Sequence, residues 1–324
     1  MKKLRQYILL VVKLLVAFTL IYMLFKRIEF RQVMETFKHG NYWYLIAAFL
    51  VFCIAFGGFF SYRFHVLVRS ITGGFYKSFQ FTAIGFFFNN FLPTNVGGDG
   101  IKLYLLKQEQ GKEGWGKSLS YIFTERFIGF ATIFLAWIVY SPFFIDVYAE
   151  AWGLVVELVH VDSRKFWLIG GGVLLLIAGL LVMVLLRNKS IGQKVLKGLQ
   201  DFKYRLKQIS QRQLVYVSIH SVLFHTFRGL GFYLLLLYFG VSLAPVHMIF
   251  LLFMSTFIGF LPISVGALGT LEAAIVLSLV IFGITEDVAL ALALFYRLFL
   301  VVFSLIGGVL YLTYRHSSQQ APGK

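Results

Sequence analysis

Apolar residues run along this chain in long blocks, each about as long as a helix that crosses a lipid bilayer. Six blocks are unbroken and cover residues 7–25, 41–62, 118–140, 166–186, 213–239 and 288–312. A helix rises about 1.5 Å per residue, so about 20 apolar residues cross a hydrocarbon layer about 30 Å thick. The pattern predicts an all-α, polytopic transmembrane bundle in which residues 1–324 form a single integral membrane domain.

Two further apolar blocks, 79–106 and 246–283, are interrupted by proline and glycine. The breaks are Pro93, Gly97 and Gly98 in the first block, and Pro262, Gly266 and Gly269 in the second. Such breaks free backbone polar groups that lipid cannot satisfy, so they are tolerated only against protein or a water-filled cavity. We therefore expect two broken helical hairpins, each either re-entrant or a pair of short crossings.

The two broken blocks resemble each other. FLPTNVGGDG at 91–100 and FLPISVGALG at 260–269 share six of ten residues, and each is flanked by spans that carry arginine. We predict two repeats, 41–140 and 213–312, which the topology below places in opposite orientations. Inverted repeats with broken helices are typical of transporters that bind their ligand near the breaks. Chance similarity of short Gly/Pro-rich strings is the alternative.

Composition agrees with a membrane protein and excludes several other classes. Hydrophobic residues make up 59% of the chain and charged residues 14%, with a net charge of +16. The basic residues lie mainly in loops between the apolar blocks, which argues against nucleic-acid binding. With the N-terminus inside, cytoplasmic segments hold 20 Lys/Arg and external loops six. This bias predicts a multi-pass protein of the cell membrane with both termini cytoplasmic.

The segment 187–212 between the repeats has its own pattern. Apolar residues recur at three- and four-residue spacing, and lysines and arginines fill the other faces. This predicts a basic amphipathic linker helix on the inner leaflet, in contact with anionic headgroups. A solvated linker is the alternative.

Ionisable residues inside apolar blocks carry the candidate chemistry, because burying a charge at bilayer depth is costly unless it is paired or hydrated. They and their polar neighbours form the predicted substrate-binding set: Arg63, Asn90, Asp99, Lys102, Glu125, Arg126, Arg228, Glu272 and Arg297. Arginine binds phosphate through a bidentate fork, so the set suits an anionic lipid headgroup. Internal ion pairs that merely lock helices together are the alternative: Asp99–Arg126, Glu272–Arg297 and Glu125–Arg63.

No motif for other chemistry is present in the sequence. There is no Walker A loop, no metal-ligand spacing of Cys and His, and no Ser/His/Asp arrangement. His220 and His225 are five residues apart, which favours packing hydrogen bonds over a metal site. We therefore expect no catalytic residues, no metal and no cofactor.

Four segments resemble the transmembrane, flippase-like region of lysylphosphatidylglycerol synthases. They are FFFNNFLPTNVGGDGIKLYLL (86–106), TERFIG (124–129), GFLPISVGALGTLEAAIVL (259–277) and LFYRL (294–298). The resemblance implies movement of an aminoacylated or otherwise modified lipid between leaflets. It places family positions at Asn90, Pro93, Gly97, Gly98, Asp99, Glu125, Arg126, Pro262, Gly266, Gly269, Glu272 and Arg297. The full synthase also carries a soluble aminoacyl-transferring domain, which we expect this chain to lack.

The leading hypothesis is a lipid translocator that binds a phosphate-bearing, anionic headgroup and has membrane lipids as its partners. One alternative is a membrane-embedded transferase, with phosphatidylglycerol lysyltransferase as the activity that the family label would suggest. Another is a non-catalytic membrane partner of a separately encoded lipid-modifying enzyme.

Overall fold

A computed structural model describes residues 40–91, 97–110, 114–144, 200, 203–204, 206–260, 264 and 267–320. The predicted spans 7–25 and 166–186, most of the linker 187–212, and Pro93, Pro262 and Gly266 lie outside these residues. The chain divides into two compact units, of which Met1–Tyr140 with Ile209–Lys324 forms the larger. In the smaller unit, Ser141–Gln208, the described residues include a short 3₁₀ helix, Ser141–Phe144.

Eight helices lie in the described part of the larger unit, and no strand is present there. We number them α1 (Tyr42–Thr72), α2 (Phe75–Phe91), α3 (Gly97–Gln110), α4 (Gly114–Tyr140), α5 (Gln211–Tyr238), α6 (Pro245–Phe260), α7 (Thr270–Ile281) and α8 (Glu286–Gln320). Within these residues, four helices are long and apolar enough to cross a membrane: Tyr42–Thr72, Gly116–Phe143, Gln211–Tyr238 and Glu286–Tyr314. The prediction of a polytopic helical protein is confirmed, as are the four unbroken spans expected in this region.

Local sequence explains where the spans begin. Asn41 caps α1, because its side-chain oxygen accepts a hydrogen bond from Trp43 N at 3.1 Å. Ser210 and Gln213 form a reciprocal capping box at the start of α5. This cap places the start of α5 two residues earlier than the predicted span at 213.

The centre of α1 departs from α-helical geometry. Residues Ile54–Phe60 form a π-helical segment between two α-helical stretches, Tyr42–Cys53 and Ser61–Thr72. Ser61 Oγ donates to Phe56 O at 3.0 Å beside this segment. π-helical turns are rare and recur at functional sites.

Both interrupted blocks fold as two short helices. The first gives α2 and α3, which pack on each other, and the second gives α6 and α7, which also pack on each other. The first arm of each hairpin packs on the last span of the other half (α2 on α8, α6 on α4). The second arm packs on the last span of its own half (α3 on α4, α7 on α8), and the first spans α1 and α5 pack together. The pairing of arms with last spans is the same in both halves. The two repeats and their inverted orientation stay predictions.

Aromatic side chains fill the interior where α1, α5 and α8 meet. The ring of Phe52 lies 5.6 Å from that of Phe232 and 5.2 Å from that of Tyr296, and Phe56 lies 5.2 Å from Phe224. This packing fixes the three spans against one another. It also places the polar faces of the same helices around a common space.

A charged cavity as the candidate functional site

A cavity of about 220 Å³ lies among the helices of the larger unit. Helices of both halves contribute to its wall, and its polar groups come from the spans and from the hairpin arms alike. Its charged lining residues are Arg63, Asp99, Lys102, Glu125, Arg126, Arg228 and Arg297. Charges at such positions are expensive, so the contacts of each decide what the cavity can do.

Glu125 is the centre of the charge cluster in the first half. Its Oε2 accepts from Lys102 Nζ at 2.7 Å, and its Oε1 lies 3.5 Å from Arg63 Nη2. All three residues are buried, with Glu125 only 1% exposed. One carboxylate therefore serves two cations, and the cluster carries a net positive charge.

Besides its ion pair with Glu125, Arg63 contacts an aromatic ring and a hydroxyl group. Its guanidinium lies 4.6 Å from the ring centroid of Phe60, and Nη1 donates to Ser221 Oγ at 3.3 Å. Its Nε has no hydrogen-bond partner among the described residues. A side chain on residue 129 would collide with this guanidinium, so Gly129 leaves the space in which Arg63 lies.

The first hairpin brings Asp99 to the cavity at the start of α3. Its carboxylate pairs with Arg126 of α4 and lies in the first turn of its helix, where negative charge is favourable. Asn89 of α2 accepts a hydrogen bond from Gly98 N at 2.8 Å, which joins the two arms. A Cβ on Gly98 would meet the backbone carbonyl of Gly85 and the Asn89 side chain, so the arms pack backbone against backbone.

The second hairpin repeats this arrangement with different residues. Glu272, in the first turn of α7, pairs with Arg297 of α8 and also accepts from Gly269 N at 2.8 Å. Arg297 Nη2 donates to Ala267 O at 2.9 Å. Gly269 and Ala267 have positive φ, 76° and 56°. This backbone geometry directs the N–H of Gly269 toward Glu272 and the carbonyl of Ala267 toward Arg297.

Arg228 of α5 has a different set of partners from every other cation in the cavity. Nη2 donates to Leu252 O at 2.8 Å, Ser255 Oγ at 2.9 Å and Thr256 Oγ1 at 2.6 Å. Among the described residues no carboxylate pairs with it, and its Nε has no hydrogen-bond partner. It is 6% exposed. A buried guanidinium held by neutral oxygens alone is a ready site for an anion.

The ring of Phe224 lies between the two halves of the cavity. The guanidinium carbons of Arg63 and Arg228 lie 5.6 Å and 5.7 Å from its centroid. Phe56 and Phe60, both from the π-helical segment, also line the cavity. Arg63 and Arg228 are thus packed against aromatic faces.

The structure brings the predicted residues together. Arg63, Asn90, Asp99, Lys102, Glu125, Arg126, Arg228 and Arg297 all line the cavity. Glu272 is not a lining residue and acts on the cavity through Arg297. Gly97 and Gly98 begin α3, and Gly269 precedes α7. The three ion pairs considered as an alternative are all present. Glu125 and Glu272 therefore also join helices to one another.

Three contributors were missed by the sequence analysis: Asn89, Ser255 and Thr256. Neutral side chains in apolar helices give no charge signal, and their role depends on a partner from another helix. The adjacent pair Ser255–Thr256, in the turn before a predicted break, was the available hint. His225 makes the expected packing bond, from Nε2 to Gly129 O at 2.9 Å. No group of three or more metal-ligating side chains occurs within the described residues.

Comparison with known proteins agrees with this architecture. Residues 10–308 match the family described as the lysylphosphatidylglycerol synthase TM region. A search of curated proteins gave no match. The matched residues include both hairpins, three of the four described spans in full, most of the fourth, and every charged residue of the cavity. The chain therefore belongs to the family of lysylphosphatidylglycerol synthase transmembrane regions.

Proposed function

We propose that this protein moves a phosphate-bearing lipid between the two leaflets of the cell membrane. The observation that carries the proposal is Arg228, a buried cation whose hydrogen-bond partners are a carbonyl and two hydroxyls. A phosphate oxygen would complete its donor set through the guanidinium fork.

Arg228 is not required by its neighbours, which supports a role in binding. Ser255 Oγ and Thr256 Oγ1 each also donate to Leu252 O, at 3.1 Å and 2.6 Å, so each hydroxyl has a second partner besides the guanidinium. Removal of Arg228 would leave no carboxylate orphaned among the described residues. A charge that is costly to bury and that stabilises no counter-charge is best explained by a ligand.

The size of the cavity favours a headgroup as the occupant. Pockets for drug-sized ligands have volumes of roughly 300–1,000 Å³. At about 220 Å³ this cavity suits a phosphate with a small polar substituent, while acyl chains stay in the bilayer. Only the polar part of the lipid needs to leave water, and that part is the main barrier to spontaneous movement between leaflets.

The hairpins supply a way to open the cavity to each side in turn. In each hairpin the first arm packs on the last span of the opposite half and on the first span of its own half, and the second arm packs on the last span of its own half. In transporters with repeated halves, one half rocks against the other around a fixed site. We propose the same motion here, with both chain termini in the cytoplasm as the positive-inside bias suggests.

Transport in proteoliposomes tests the proposal. A fluorescent short-chain phospholipid is placed in both leaflets, and its exposure to a membrane-impermeant quencher is followed over time. We expect wild-type protein to expose the inner pool, and Arg228→Ala and Arg297→Ala to slow this at least tenfold. Arg212→Ala, which removes an exposed arginine near the start of the same helix as Arg228, should behave as wild type.

Two outcomes would contradict the proposal. One is equal transport by wild type and Arg228→Ala, with both proteins folded by size-exclusion chromatography and thermal unfolding. The other is a lipid whose mass changes on incubation with purified protein alone, which would favour the membrane-embedded transferase.

A further inference from the structure

The charges of the cavity do not balance. Five cations line it: Arg63, Lys102, Arg126, Arg228 and Arg297. Three carboxylates line it or pair with these cations: Asp99, Glu125 and Glu272. The described residues therefore leave an excess of two positive charges, and a protonated His225 would only add to it.

The excess has two sources that do not depend on the Asp99–Arg126 and Glu272–Arg297 pairs. Glu125 neutralises only one of Arg63 and Lys102, and Arg228 has no carboxylate among the described residues. Phe224, whose centroid lies within 6 Å of both guanidiniums, places the two sources side by side. A ligand near Arg228 therefore meets the potential of both.

No carboxylate of the cavity is left over for an ammonium group. Asp99 pairs with Arg126, Glu125 with two cations, and Glu272 with Arg297 and the backbone N–H of Gly269. An ammonium group that entered would have to break one of these buried pairs or remain unpaired. Both alternatives are costly in a medium of low dielectric constant.

We propose that the cavity selects headgroups with net negative charge, of the phosphoglycerol kind, and rejects headgroups in which ammonium groups outnumber phosphates. Lysylphosphatidylglycerol is of the rejected kind, because its lysyl ester adds two ammonium groups to one phosphodiester. The inference rests on the proposed function and specifies its substrate class. It separates this chain from the lipid for which its family is named.

Competitive lipid binding tests the inference without requiring transport. Purified full-length protein in detergent is given phosphatidylglycerol and lysylphosphatidylglycerol with identical acyl chains, in equal amounts, and bound lipid is counted by native mass spectrometry. Unit charges about 6 Å apart at an effective dielectric constant of about 20 predict a preference of tenfold or more for phosphatidylglycerol.

Variants locate the preference in the cavity. Arg228→Gln removes half of the excess, so the preference should fall severalfold. Thr256→Asp would place a carboxylate beside Arg228 and should shift binding toward the lysyl lipid. Arg212→Gln, on the exposed part of α5, removes the same charge outside the cavity and should leave the preference unchanged. Equal binding of both lipids by wild type, or equal effects of Arg228→Gln and Arg212→Gln, would overturn the inference.

Soluble glycerol 3-phosphate separates this inference from the proposed function. If it binds in an Arg228-dependent way while phosphatidylglycerol does not, the charge selection holds and the lipid is wrong. If phosphatidylglycerol binds selectively but is not transported, the selection holds and translocation fails. If neither ligand depends on Arg228, the selection itself is wrong.

Discussion

The two halves of the cavity bind their cations in opposite ways. In the first half, Arg63 and Lys102 share the carboxylate of Glu125, deep in the interior. In the second half, Arg228 is surrounded by a carbonyl and two hydroxyls. Arg63 and Arg228 are both buried, yet they have different kinds of partner. The first cluster joins α1, α3 and α4, whereas no carboxylate among the described residues pairs with Arg228.

The two hairpins also differ in the local geometry that positions their residues. In the first, Gly98 allows α2 and α3 to approach backbone to backbone. In the second, positive φ at Ala267 and Gly269 turns the chain toward Arg297. Related sequence strings thus reach related positions through close packing in one half and through turn geometry in the other. Four mutational tests, each with its own control, measure how far the two halves differ.

The largest loss of stability should come from Glu125→Gln. It leaves Arg63 and Lys102 buried without a counter-charge, which costs about 3–5 kcal/mol for a broken buried ion pair. The free energy of unfolding in mixed micelles measures the loss. Glu109→Gln breaks the half-exposed pair with Lys77, 2.6 Å apart, and should cost less than about 1 kcal/mol. Equal losses would mean that burial does not distinguish the pairs. Adding Lys102→Met to Glu125→Gln should restore part of the stability.

Gly98→Ala should cost about 2–3 kcal/mol, because the new methyl group meets the Gly85 carbonyl and forces the arms of the first hairpin apart. Gly100→Ala is the matched control, since nothing lies within 4 Å of a Cβ there and alanine favours the helix. Thermal unfolding of both variants gives the comparison. A control as unstable as Gly98→Ala would show that the close approach does not hold the hairpin together.

The double change Ser255→Ala with Thr256→Val should destabilise the protein by about 1–2 kcal/mol. It deprives Arg228 of two neutral acceptors and leaves the guanidinium buried with one carbonyl partner. Combining it with Arg228→Met should remove most of the penalty, because the guanidinium whose donors lost their acceptors is then absent. Additive losses in a double-mutant cycle would contradict the coupling.

Arg228→Met should change stability least, by no more than about 1 kcal/mol in either direction. Replacement of a buried charge that leaves no carboxylate unpaired is often neutral or stabilising. The same unfolding measurement applies, with Arg63→Met as the first-half counterpart. Arg63→Met should be the more harmful, since it weakens the Glu125 cluster. A loss above about 3 kcal/mol for Arg228→Met would mean that Arg228 is structural.

The sequence by itself determined the class of the protein and the positions of its described spans. Apolar blocks long enough to cross a bilayer have few other stable arrangements, because backbone groups in lipid must bond within their own helix. The breaks in the two hairpins were also visible, since proline and glycine end helices locally. The charged candidates were found for a similar reason: a charge in an apolar span stands out whatever its partners are.

Only the tertiary structure decided which charges pair, and that Arg228 has no carboxylate partner among the described residues. Glu125 lies next to Arg126 in sequence, yet it bonds Lys102 and Arg63, because adjacent residues on a helix point in different directions. Ser255 and Thr256 carry no signal of their own and matter only because α6 lies against α5 at Arg228. Pairing depends on distances between helices. Those distances cannot be read from the order of residues within any one helix. The set of neutral partners around Arg228 is a property of the packed bundle.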